Sequence, residues 1–155
     1  MRVFAFFASV ALCSISTAQA SVGSGWSVEC DGTDGTDCIV AQSAAAEDRT
    51  WLATIILDPD DTGGALAQVI VPSGVHLASG LFLGLDRRPL QAVWTVCARD
   101  TCRAEARLSA EDLTGWKKAR QAELRYRPSI SAPVIVFPLS LMGLTAALRK
   151  AEGSK

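Results

Sequence analysis

Histidine is almost absent from this chain of 155 residues: there is one, His76. The sequence holds no C-x-x-C pair, no G-x-S-x-G elbow, no S-x-x-K pair and no glycine loop of the kind that cradles a phosphate. A histidine-rich metal centre, a thioredoxin-like redox motif and the commonest serine hydrolase signatures are therefore excluded. Excess charge is missing too. A formal net charge of −1, with 20% charged residues, creates no global field that would draw the chain to nucleic acid or to an anionic surface. Neither a tandem repeat nor a low-complexity linker occurs. What remains is 49% hydrophobic and reads as a globular chain rather than a disordered one.

The first twenty residues have the layout of an export leader. Arg2 supplies a positive start, Val3 to Leu12 form an apolar stretch too short to span a bilayer comfortably, and Ala18-Gln19-Ala20 is a small-x-small cleavage site. Residues 1–20 are expected to be a signal peptide and residues 21–155 a single domain starting at Ser21. Cys13 raises lipoprotein acylation, but Leu12 stands where such a site carries a small residue, and Ala18-Gln19-Ala20 offers the better cut.

Cys30, Cys38, Cys97 and Cys102 remain after the leader, an even number in an exported domain, which suggests two disulfides. Four cysteines allow three pairings, and spacing alone does not choose among them. Cys30 with Cys38 and Cys97 with Cys102 is the preferred pairing, because each pair flanks a short turn-like segment. Zinc is the weaker reading, since neither pair has the tight spacing of a zinc knuckle.

Period-two alternation marks several strands. Trp26, Val28 and Cys30 alternate with Gly25, Ser27 and Glu29, which puts a cysteine on an inner face. Cys102, Ala104, Ala106 and Leu108 alternate with charged neighbours, as do Ala122, Leu124 and Tyr126. Residues 51–57, 66–71, 81–85 and 92–97 are more continuously apolar and are expected to be covered on both faces. Glycine and proline punctuate these runs, with Pro72, Gly74 and Gly80 as expected turn positions. Ser109 with Asp112 opens a helix carrying Leu113 and Trp116, and Ser140 is expected to cap a second with Leu141, Leu144 and Leu148 on one face. Pro133 and Pro138 argue against a membrane anchor over 130–148, where a buried strand over Val134 to Phe137 fits better. The expected fold class is all-β: an antiparallel β-sandwich or partly open barrel with one or two short α-helices and two disulfides.

Few residues suggest chemistry. Two aspartate- and glycine-rich turns, 31–37 and 58–64, offer the oxygen ligands that calcium prefers, yet neither has EF-hand spacing and both residue types are ordinary turn formers. His76 could act as a general base with a serine or carboxylate, which makes a small periplasmic hydrolase or ligand-binding module the alternative function; a lone histidine in a strand is more often structural. Arg87-Arg88 and the Arg125/Arg127 face could meet an anionic partner, although such pairs usually are solvated edges. Trp26, Trp51, Trp94 and Trp116 scatter over the expected inner faces, as core aromatics do.

Five segments in order resemble the invasion-associated locus B family of bacterial envelope proteins. They are Trp26-Ser27-Val28-Glu29-Cys30, then Cys38, then Val71-Pro72-Ser73-Gly74-Val75-His76-Leu77-Ala78-Ser79-Gly80, then Cys97 to Cys102 with Arg103-Ala104, then Leu139 to Leu148. Leu144 stands where the closing motif would carry phenylalanine, and the aspartate- and glycine-rich turn between the first cysteines is this chain's own. The resemblance implies an exported, β-rich, disulfide-containing protein of the periplasm or outer-membrane surface, linked in pathogens to host-cell entry. It implies no catalytic residues, cofactor or metal. The four cysteines and the turn at Pro72, Gly74 and Gly80 carry over as structural positions. The expected function is non-enzymatic, through an unknown protein partner in the envelope or on host cells; nucleic acid is not expected, and peripheral membrane association and oligomeric state stay open.

Overall fold

A computed structural model describes residues 25–31 and 37–153. The expected leader, Cys13 and most of the first aspartate-rich turn lie outside the described residues. Among the described residues nine strands follow one another: β1 (Ser27–Asp31), β2 (Asp37–Ala45), β3 (Trp51–Pro59), β4 (Ala65–Pro72), β5 (Leu81–Leu85), β6 (Arg88–Cys97), β7 (Thr101–Leu108), β8 (Gln121–Tyr126) and β9 (Ile135–Ser140). Helix α1 (Ala110–Lys118) sits between β7 and β8, and α2 (Leu144–Glu152) follows β9. All paired neighbours are antiparallel, in the order β1-β2-β3-β4-β7-β6-β5-β8-β9. Within it, β4-β7-β6-β5 is a Greek key: three hairpin-linked strands, and a fourth that joins them by a crossover over residues 73–80.

The sheet curls into a half-barrel whose concave side is the core. Ala65, Ala67, Val69 and Val71 of β4 are buried, and Gln68 and Ile70 between them are half-buried. In β7, Cys102, Ala104, Ala106 and Leu108 point inward, as their alternation predicts. The two end strands are brought together by the Trp26 indole, whose Nε1 donates to the Ser140 carbonyl oxygen at 3.0 Å. Helix α2 packs on β1 and β2 with Leu144, Ala147, Leu148 and Ala151 buried, while Thr145 Oγ1 donates to the Lys117 carbonyl in the last turn of α1. The helix thus bridges the open side of the half-barrel. Each buried leucine there stabilises by about 1.5–3 kcal/mol relative to exposure.

Cys30 is bonded to Cys38 and Cys97 to Cys102, and each pair joins directly opposed residues of one hairpin, β1–β2 and β6–β7. Cys38 and Cys102 are buried; Cys30 shares their face but is exposed, because β1 is an end strand.

Three expectations are corrected. The apolar runs are not covered on both faces, because a single curled layer has one inside; Val93 of β6 stands 69% exposed and Val96 54%. The irregular register between Trp94 and Val96 lets both valines face outward. The strand expected over Val134 to Phe137 begins at Ile135, and only Phe137 and Leu139 of it are buried. Ser140 does not cap the second helix: it ends β9, and Gly143, with φ 88°, precedes the first helical residue without a side-chain cap. Helix α1 has the expected capping box, Ser109 accepting from the Asp112 amide while the Asp112 carboxylate accepts from the Ser109 amide at 3.1 Å.

Tyr126, the chain's only tyrosine, spans the interior. Its hydroxyl donates to the Leu52 carbonyl oxygen at 2.9 Å, linking β8 to β3, and its ring meets Phe137 edge-on. Burial pushes the phenol from 10.0 up to about 12. The neutral form is the one the fold favours, so this contribution to stability is complete below pH 10 and is lost as pH rises through about 12. An absorbance titration should show tyrosinate forming only as pH nears 12; a native midpoint near the ordinary value would mean that the ring is open to water.

Candidate functional site

The crossover from β4 to β5 gathers the residues singled out from sequence. Pro72 ends β4 opposite Thr101, and Gly74 follows with φ +90°, a conformation that L side chains rarely adopt. Three hydrogen bonds pin the segment to the sheet: the Ser73 amide to the Asp100 carbonyl, the His76 amide to the Arg127 carbonyl, and the Trp94 indole to the Leu77 carbonyl. Residues Leu77–Ser79 form one 3-10 turn, closed by Gly80 at φ +71°. A Cβ on Gly80 would lie 3.1 Å from the Phe82 ring.

His76 sits half-buried at the start of that turn, with Nδ1 at 2.7 Å from Ser79 Oγ. A serine is therefore within proton-transfer reach of the imidazole. Both groups belong to the same turn, and no carboxylate is bonded to the ring among the described residues. This is the geometry of a side-chain bond that closes a turn; it lacks the third group that would orient the base toward a substrate.

The second aspartate-rich turn consumes its own ligands. Asp60 Oδ1 accepts from the amides of Thr62 (2.9 Å) and Gly64 (3.0 Å) and from the Thr62 hydroxyl, and Oδ2 pairs with Arg107 at 3.1 Å. The Thr62 hydroxyl, the two amides and Arg107 together hold its carboxyl below the usual range. Among the described residues no three His, Cys, Asp or Glu side chains converge as metal ligands.

Two clefts among the described residues are roomy enough for a small group. One, of about 330 Å³, opens between α1 and the β5–β6 hairpin; Leu85, Leu90 and Trp116 line it, and the ion pair of Arg88 with Glu111 stands at its rim. The other, of about 230 Å³, lies on the outer side of β5 and β8 against the crossover, lined by Ser79, Gly80, Phe82, Arg125, Tyr126, Arg127 and Val134. The Arg125 guanidinium rests on the Phe82 ring, 4.7 Å from its centroid. Arg125 and Arg127 were legible as one face of a strand, but Phe82 was not singled out; only the β5–β8 pairing shows that it opposes Arg125. Gln42 was missed as well. It is buried on the inner face of β2 with neither amide atom hydrogen-bonded, and its place between Val40 and Ala44 in the alternation was the available signal. Of the tryptophans, Trp116 is buried, Trp26 and Trp94 pack against the core, and Trp51 donates to Thr54 Oγ1.

Together these features define a disulfide-braced, curled single-sheet domain whose candidate residues are spent on turns. The family model described as "Invasion associated locus B (IalB) protein" matches residues 26–152, and the chain belongs to this family. The crystal structure of invasion associated protein b from Bartonella henselae has the same fold: TM-score 0.71 over 83% of this chain and 90% of that chain, at 14% sequence identity. No curated protein matches the chain. As a member of the family, the chain is an exported protein of the periplasm or outer-membrane surface.

Calcium should leave the second turn untouched. Adding calcium or EDTA is expected not to move the melting temperature, whereas Asp60→Ala should lower it by removing the bonds that close the turn; a calcium-dependent rise that Asp60→Ala abolishes would place an ion there.

Proposed function

We propose that residues 1–20 are a cleaved leader, and that the single domain over 21–155 acts through protein contacts in the envelope, contact with a host cell included. The observation that carries this reading is the outer face of β6. Val93 and Val96 stand 69% and 54% exposed side by side, opposite Glu105 and Arg103 of β7. Exposed aliphatic residues rimmed by charges of both signs are the composition of a protein-binding patch. The Bartonella relative is described as invasion associated, which favours a partner outside the cell. Cysteines 30, 38, 97 and 102 and the turn at Pro72, Gly74 and Gly80 serve this activity as scaffold.

The test is a photo-crosslinking side chain placed at Val93 or Val96 in living cells, with protease shaving of the same cells. A discrete protein adduct is expected, with the domain cleaved on intact cells. Adducts absent from both positions would contradict the protein-contact reading. Protection from protease, with release on osmotic shock, would move the partner inside the envelope and end the host-contact part.

A further inference from the structure

The cleft beside the crossover has a composition that the turns do not explain. Phe82, Arg125 and Val136 oppose one another directly across β5, β8 and β9, forming a single row on the outer face. Arg127 and Val134 line the cleft just beyond β8 and β9. Neither arginine makes an ion pair among the described residues, and the Nε of Arg127 is buried without a hydrogen-bond partner. Beside these unpaired guanidinium groups stand two exposed aliphatic side chains, Val134 (49%), which lines the cleft, and Val136 (55%), which opposes Arg125. Two guanidinium groups lacking a counter-ion, one with an orphaned buried donor, favour an anion with several acceptor oxygens. The aliphatic residues next to them favour a hydrocarbon surface joined to that anion.

We propose that this face docks on the phosphate headgroups of an anionic phospholipid membrane, with the phosphate in the Arg125–Arg127 cleft and Val134 and Val136 lodged among the acyl chains at the interface. The cleft's 230 Å³ suits a headgroup and not a folded domain. The attraction is local, so it coexists with a net charge of −1, and it is screened by salt. Being independent of the β6 patch, it survives failure of the protein-contact reading, because vesicles contain no protein partner.

Purified protein is floated with vesicles of phosphatidylcholine alone and of phosphatidylcholine mixed with phosphatidylglycerol. Binding is expected to the mixed vesicles only and to weaken at high salt. The double change Arg125→Gln with Arg127→Gln should reduce it about 30-fold. Arg149→Gln, on the distant α2, should not affect it, and Val134→Ser with Val136→Ser should weaken it with both arginines intact. Melting temperatures show that the variants are folded, and Arg127→Lys, which keeps the charge, should retain more binding than Arg127→Gln. Equal binding to neutral vesicles, or an equal loss in the Arg149 variant, would overturn the proposal. So would unchanged binding in the double arginine variant, or undiminished binding in the presence of inorganic phosphate at high salt.

Discussion

A single β-sheet has only one way to bury an apolar face without a second layer, which is to curl until its own strands face each other. Everything else in this chain depends on holding that curl. The free ends of the sheet, β1 and β9, are the weak point, since nothing in strand pairing joins them. The seam is held by a hydrogen bond from Trp26 to the Ser140 carbonyl and by α2 lying on β1 and β2. Tyr126 adds a tie through the middle, from β8 to the backbone of β3. These contacts join residues far apart in sequence, so they give little until the sheet is nearly complete.

The same constraint shapes the surface. A curled layer leaves its convex face to solvent, and the apolar side chains there, Val93 and Val96 on β6 and Val136 on β9, have no second sheet to cover them. Such residues stand on a frame stiffened by two hairpin disulfides. The crossover makes the point from the other side. His76, Ser79, Gly74 and Gly80 together turn the chain from β4 to β5, and their polar groups are used within the turn or against the sheet.

Much of this was legible in the sequence wherever a local rule applied. Alternation at 102–108 and 122–126 marked the inner face, because a strand with one covered side must show period two. The Ser109 cap was readable because its partner Asp112 is three residues away. The paired cysteines flank short turns, and the family motifs ran in order along the chain. What escaped depends on contacts that local pattern does not encode. The runs over 51–57 and 92–97 look like doubly covered strands because alanine, valine and leucine are equally apolar on either face. The shift at Trp94/Val96 then reverses the parity of one of them. The Phe82–Arg125 row exists only through pairing of strands that are not neighbours in sequence. The expected Ser140 cap failed because β9 runs on through Pro138, which an end strand tolerates.

The claim at the centre is that α2 and the Trp26 contact hold the two ends of one sheet together. Native-state hydrogen exchange on the wild type and on Leu148→Ala addresses it strand by strand. The account predicts that the variant's β1 and β9 amides lose protection together, in an opening well below global unfolding, while β4 and β7 in the middle of the sheet keep theirs. Loss spread evenly over all strands, or β1 and β9 protected as in the wild type, would contradict it.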